Sequence, residues 1–321
     1  MHYRTFGRTG WQVAEIGYGM WGMGGWTGSD DAESLASLHR AVELGCNFFD
    51  TALAYGEGHS EKLLGQLLKA YPNQKLYTAS KIPPKNRKWP ATPEYDIADV
   101  FPYDYLIAST ETSLRNMDAE QVDLMQLHVW DDHFTADDGW KRAVETLKAS
   151  GKIGAFGISI NRWEPANVLE ALRTGLIDAV QVVYNIFDQN PEDELYPLCR
   201  ELNIAVIARV PFDEGSLTGT FTKETRFPQE DWRSLYFTPD TIAETVERVE
   251  ALRPLIPPGM SMPEFALRFI LAEPAVSTII PGMRKLHHVD ANIAASDGQA
   301  LPADLVAALR PHRWVRQPVA I

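Results

Sequence analysis

The chain has 321 residues, 45% of them hydrophobic and 23% charged, a balance that excludes disordered and fibrous architectures and leaves room for one large core. Thirty basic against 43 acidic residues give a net charge of −13, which disfavours nucleic acid and anionic membranes as partners by simple repulsion. No stretch approaches the ~20 apolar residues of a membrane span, and the opening MHYRTFGRTG lacks the apolar core of a secretory signal, so a cytoplasmic protein is expected.

Residues 3–16 predict two short strands about the turn Gly7-Arg8-Thr9-Gly10, a hairpin suited to plugging one end of a barrel. Next, Gly17, Gly19 and Gly22 spell GxGxxG, which marks dinucleotide binding only where it opens a helix directly. Here the helix signal waits until after Gly28, with Ser29 or Asp30 as cap and SLASLHRAVEL as its periodic face. The glycines therefore read as a loop after a first strand. From there strand and helix alternate: FFD with SEKLLGQLLKA, KLYTASK with YDYLIASTETSLRNM, VDLMQLH with GWKRAVETLKASG, KIGAFGIS with EPANVLEALRTG, AVQVVYN with EDELYPLCREL. IAVIARV leads into a long irregular segment and two helical stretches, and STIIPG precedes a last helix through His288 and Asn292. Counted from AEIGYG, the strand-like runs close as a single (β/α)8 TIM barrel over residues 1–321. Two long insertions, 82–101 and 211–239, leave the same mouth, as ligand-binding loops do. Cys46 and Cys199 fit neither a disulfide framework nor a zinc site and read as small buried hydrophobes.

The sharpest chemical signal lies in GCNFFDTALAYGEGHSEKLLG, where Asp50 ends a strand and Tyr55 sits on the loop after it. Lys81 closes KLYTASK and His128 closes VDLMQLH. A parallel barrel gathers such strand ends at one pocket. Taken singly, Asp50 with Lys81 reads equally well as a buried ion pair and His128 as a satisfied core histidine; it is the set of four that points to chemistry.

Those residues lie in blocks that resemble the aldo-keto reductase family, in its bacterial branch related to channel β-subunit-like proteins. The resemblance runs nearly the whole chain: YRTFGRTGWQVAEIGYG, FFDTALAYGEGHSEKLLG, Lys81, LMQLHVW, GKIGAFGIS, VQVVYN, GSLTG and IIPGMRK with Asn292 behind it. It implies a barrel that binds a nicotinamide cofactor without a Rossmann domain and interconverts a small-molecule carbonyl substrate and its alcohol. In that chemistry charge builds on the carbonyl oxygen, so a proton donor is needed. Tyr55 fills that role. A free phenol titrates near ~10; the Lys81 ammonium is expected to lower that value, Asp50 to hold the ammonium charged, and His128 to orient the carbonyl or relay a proton.

The resemblance also implies cofactor positions. Ser159, Asn161 and Gln181 correspond to the group that holds the nicotinamide carboxamide, although the family commonly places Asn directly after Ser and Ile160 intervenes here. Arg209 stands where the family stacks an aromatic on the nicotinamide; a guanidinium also lies flat on a ring, and its charge favours the reduced cofactor. Gly19, Met20 and Trp21 belong to the first mouth loop, while Pro211, Phe212, Gly215, Ser216, Leu217 and Gly219 form the loop over the pyrophosphate. Gly282, Arg284 and Lys285 fall where the family grips a 2′-phosphate, which favours NADPH over NADH. His288 and Asn292, one helical turn apart, face the adenine side.

Trp21 and Trp130 are expected to wall the substrate site beside Tyr55 and His128. The acidic run Asp131, Asp132, His133, Asp137 and Asp138 fits no metal spacing and reads as a solvated loop with a helix cap. The tail PHRWVR either caps the mouth or packs outside, and a homo-oligomer is allowed. Two competing functions remain: a cofactor-binding regulatory subunit with little turnover, and a barrel aldolase using Lys81 as Schiff-base nucleophile. Asp50 argues against the second by keeping the amine protonated.

Overall fold

A computed structural model describes residues 1–25 and 28–316. The hairpin pairs β1 (Tyr3–Phe6) with β2 (Trp11–Ala14) in antiparallel register, Phe6 opposite Trp11, and turns through Gly10 at φ 73°. Eight strands follow in parallel, each paired with the next: β3 (Tyr18–Gly19), β4 (Phe48–Asp50), β5 (Tyr77–Ile82), β6 (Val122–Leu127), β7 (Ile153–Ser159), β8 (Ala179–Val183), β9 (Ala205–Arg209) and β10 (Val276–Ile279). Bridges from Ile16 to Ile279 and from Gly19 to Gly282 close the last strand onto the first. The predicted barrel and hairpin are both present.

Side chains alternate across a strand, and that period builds the barrel interior in layers. Phe48, Ala79, Leu124, Ala155, Ala179, Ala205 and Ile207 form an apolar lower layer, sealed from below by Phe6 and Val13 of the hairpin. Small residues on several strands make the room into which those two large ones fit. Two residues further along the same strand faces come Asp50, Lys81, Gln126, Gln181 and Arg209. Polar chemistry is thereby stacked directly on a dry floor. The opposite strand faces, Phe49, Met125, Phe156, Ile158, Val180 and Val206, are buried under the helices.

Helix Asp31–Glu43 starts where its cap predicts, with the Asp30 carboxylate accepting from Glu33 N at 2.8 Å. Helix His59–Ala70 begins one residue before Ser60, after Gly58 at φ 87°. The predicted EPANVLEALRTG helix shrinks to Leu169–Arg173, and Asp132, from a different loop, accepts from Glu170 N and Ala171 N at its start. That capping, with Asp131 bonded to His133 and Asn167, corrects the reading of the acidic run as merely solvated; Asp131 is buried and staples two mouth loops together. Helix Ala303–Leu309 has no counterpart among the predicted elements. Among the described residues no helix is long and apolar enough to cross a membrane, and no cluster of three metal-ligating side chains forms.

Close helix packing gives a stability prediction. A Cβ on Gly65 lies 2.5 Å from the Met117 carbonyl oxygen of helix Tyr103–Met117, so the two backbones touch only because this position has no side chain. Gly65→Leu is expected to lower unfolding free energy by about 2–3 kcal/mol in urea titration, as overpacking does; a loss under 0.5 kcal/mol would contradict this contact.

Candidate active site

Period-two alternation brings Asp50 from β4, Lys81 from β5 and Gln126 from β6 to one level of the barrel, with His128 just past the end of β6 on the same face. The Lys81 ammonium, fully buried, donates to Asp50 Oδ1 at 2.5 Å, to the Thr51 carbonyl at 2.7 Å and to Tyr55 Oη at 3.4 Å. The second Asp50 oxygen accepts from Gln181 Nε2 at 2.8 Å and Gln126 Nε2 at 3.3 Å. A buried carboxylate satisfied this way persists as an anion, and it fixes the amine that it holds. Tyr55 lies edge-on to His128, ring centres 5.7 Å apart, and Lys81 Nζ lies 5.0 Å from the Tyr55 ring centre.

Electrostatics correct one expectation. Burial pushes the Tyr55 phenol upward more than the Lys81 ammonium pulls it down, so the net shift is above the ordinary phenol value. The lysine moderates a rise that its surroundings impose. Burial also acts to lower Lys81, but Asp50 and then Tyr55 more than offset it and leave the ammonium above its usual range. Burial, then Lys81 and Arg209, hold His128 well below the ordinary histidine value, so the imidazole is neutral at working pH, and its Nδ1 is buried without a partner.

The remaining expected residues divide. Gln181 spends its amide nitrogen on Asp50, and Asn161 spends its own on the Ala91 carbonyl and Glu164, leaving Asn161 Oδ1 buried and unpartnered. Ser159, also buried, ends β7 next to Gln181 in register. Trp130 does not wall the pocket. It is fully buried against Phe134 and Trp140 and donates its indole N–H to Asp132. Trp89, on the first insertion, takes the place beside the site: its ring stands edge-on to His128 at 6.0 Å and is 39% exposed. Trp89 is the one tryptophan of the 82–101 insertion, but nothing in the sequence favoured it over Trp130 as the ring beside the site.

The second insertion folds over the same mouth. Asp213, Glu214 and Gly215 all have positive φ (45°, 55° and 106°), and Gly219 ends the turn at φ 72°. The Phe212 carbonyl, one step after buried Pro211, accepts from Gly215 N and Leu217 N. The Ser216 hydroxyl is turned inward to Asp213. Residues not anticipated from sequence hold this loop. Arg162 reaches Glu214 Oε1 at 2.5 Å and the Tyr236 hydroxyl at 3.1 Å, and Tyr236 donates to Asp213 at 3.0 Å. Arg316, from the tail, pairs with Asp213 at 2.7 Å, so PHRWVR lies at the mouth. Trp232 meets Trp21 across the opening at 6.2 Å.

On the opposite side Met20 N donates to the Asp50 carbonyl and Gly19 N to that of Pro281. Arg284 lies across Gly22, donating to its carbonyl at 3.4 Å; a Cβ there would sit 3.0 Å from Arg284 Cδ. Gly282 opens the turn before Arg284, and Lys285 stands at the N-cap of helix Leu286–Ala294, which carries exposed His288 and buried Asn292.

A nicotinamide dinucleotide suits this surface on two structural grounds: an unpartnered buried donor on Trp232 Nε1 and a glycine-lined approach to Arg284.

Comparison with known proteins bears on the family and the fold. A match to the Aldo/keto reductase family spans residues 15–313. Relatives include an uncharacterized oxidoreductase, YqkF, of Bacillus subtilis, 28% identical over 97% of this chain and 96% of its own length. An NADH-specific methylglyoxal reductase of Escherichia coli is 26% identical over 93% and 94%. Among solved structures, a glycerol dehydrogenase from Gluconobacter oxydans superposes with a TM-score of 0.78 at 27% identity, covering 94% of this chain and 92% of that one.

Proposed function

Because the chain belongs to the aldo/keto reductase family, we propose that it is an NADPH-dependent oxidoreductase that reduces an aldehyde or ketone to an alcohol, with Tyr55 as general acid. The observation that carries the reading is the position of Lys81 Nζ, held by Asp50 at 2.5 Å and facing the Tyr55 hydroxyl at 3.4 Å.

The cofactor, when bound, supplies the hydride. Tyr55 donates its phenolic proton to the carbonyl oxygen as negative charge develops there. The Lys81 ammonium steadies the phenolate left behind, and Asp50 keeps that ammonium charged and aimed, since its second oxygen is fixed by Gln126 and Gln181. Neutral His128 offers a ring N–H to the same oxygen without adding a further charge to the pocket. The indoles of Trp21 and Trp89 border the opening and favour an organic carbonyl over water. Protonated Lys81 has no free lone pair, which counts against a Schiff-base reaction.

Ser159, Asn161, Gln181 and Arg209 would lie against the nicotinamide end, Gly19 to Trp21 and Pro211 to Gly219 along the diphosphate, and Arg284 and Lys285 at the 2′-phosphate, with His288 and Asn292 beyond. The preference for NADPH rests on that last cationic pair. Arg284→Ala is therefore expected to raise the Kd for NADPH about 10-fold and leave that for NADH within twofold, measured by nucleotide fluorescence titration. Tighter NADH than NADPH binding by the unaltered protein would overturn the nucleotide assignment. Following NADPH absorbance with a panel of aldehydes tests the reaction itself; tight cofactor binding without oxidation of NADPH by any of them would point to a regulatory binding protein.

A further inference from the structure

The polar layer of the barrel does not balance its charge. Asp50 neutralises Lys81, while His128 carries none at working pH. Arg209, the last residue of β9, stands two residues beyond Ile207 and four beyond Ala205, both on the barrel interior, so its side chain enters the same mouth. Its guanidinium makes a single hydrogen bond, Nη2 to the Ile160 carbonyl at 3.0 Å, and its Nε is buried without a partner. Among the described residues no carboxylate lies within ion-pair distance of it. Glu214, whose charge acts on it, is taken by Arg162 at 2.5 Å. Burial, and then Arg162, hold the guanidinium down to about 10, the direction expected of an uncompensated cation, and it remains charged at neutral pH.

Arg209 is partly buried, and a cation drawn out of water without a counter-ion is favoured by a ligand that supplies the missing charge. The nicotinamide ring cannot do so, being neutral when reduced and positive when oxidised. The diphosphate and 2′-phosphate fall to the glycine turn and to Arg284 with Lys285. Arg209 acts instead on the two groups that face the carbonyl, since its field reaches both Tyr55 and His128.

We infer that Arg209 is an anion anchor within the substrate pocket, and that the preferred substrates are small carbonyl compounds carrying a carboxylate or phosphate close to the carbonyl group. This rests on the reductase reading and narrows its substrate class. The planar fork can take two carboxylate or phosphate oxygens through its unbonded N–H groups. Exposed Trp21 and Trp89 then cover the uncharged part of the molecule.

Two matched pairs test this: 2-carboxybenzaldehyde against benzaldehyde, and glyceraldehyde 3-phosphate against glyceraldehyde, the first probing carboxylate and the second phosphate. For at least one pair, kcat/KM is expected to favour the anionic member by about 10- to 100-fold. In Arg209→Met that ratio should fall towards unity and in Arg209→Lys part of it should remain; because both members of a pair are compared on the same variant, any loss of NADPH affinity cancels from the ratio. Thermal melts of both variants check folding. Equilibrium binding of benzoate against benzamide to the NADPH complex, read by tryptophan fluorescence, repeats the comparison without turnover, so it still decides the matter if no carbonyl is reduced and the reductase reading itself fails. No anionic preference in either the kinetic or the binding comparison would overturn the inference. So would a preference that survives Arg209→Met, or a variant whose only change is the ratio of NADP+ to NADPH affinity, which would assign the guanidinium to the cofactor.

Discussion

Replacing Tyr55 by Phe is expected to lower kcat for carbonyl reduction by about 10²- to 10⁴-fold while leaving the Kd for NADPH within about threefold. The ring stays in place against His128, and only the hydroxyl 3.4 Å from Lys81 Nζ is removed. What is lost is proton donation to an oxygen that gains charge only in the transition state, so the damage falls on kcat more than on KM. The pH profile gives a second reading of the same group. Catalysis of reduction needs the protonated phenol, and because burial, opposed in part by Lys81, leaves Tyr55 above its ordinary value, the protonated form persists beyond pH ~10. The rate of reduction should stay flat across neutral and mildly alkaline pH, with no limb between about 5 and 8 from His128, whose pKa is displaced well below that of free histidine, ~6.5. A descending limb near pH 7 that persists in Tyr55→Phe, or a rate loss below tenfold, would show that the acid is another group.

Lys81→Met should damage both folding and chemistry. It strands the Asp50 carboxylate, 2% exposed, with only two amide donors, and loss of one partner of a buried pair costs about 3–5 kcal/mol. Linkage fixes where to measure this. The folded-state pKa of Lys81 is raised, so its stabilisation is complete below the ordinary lysine value near ~10.4 and is lost only as pH rises through the folded value. Denaturant titration at pH 7 therefore reads the whole loss. Adding Asp50→Asn removes the stranded charge, and the double variant should be more stable than Lys81→Met alone, the non-additivity expected of contacting groups. Neither variant should recover reductase activity. A Lys81→Met protein as stable as the parent would mean that the ion pair contributes nothing to the fold; one as active as the parent would remove the lysine from the chemistry.

These two predictions rest on residues whose gathering was legible from spacing. Each lies at or just beyond a strand end, and parallel strands closed into a barrel bring their carboxyl ends to one mouth. The same reasoning could have found Gln126, two residues before His128 and hence on the same strand face. It failed for Trp130. A tryptophan two residues past His128 is expected over the pocket from spacing alone, but the chain leaves the strand there, and the packing of Phe134 and Trp140 pulls the ring away. It failed too for the acidic run, because the backbone amides that Asp132 caps lie 38 and 39 residues further along.

The amino-acid order determined the strands, the closure of the sheet and the gathering of Asp50, Tyr55 and Lys81 at one mouth, because alternation of period two and strand-helix succession are local properties of the chain. Tertiary structure decided what no local pattern encodes: that burial outweighs the lysine at Tyr55, that Arg162 and Arg316 tie the mouth loop, and that Arg209 is left without a counter-ion. Each of these depends on which side chains from distant segments exclude water together, and desolvation is a property of the assembled pocket rather than of any stretch of sequence.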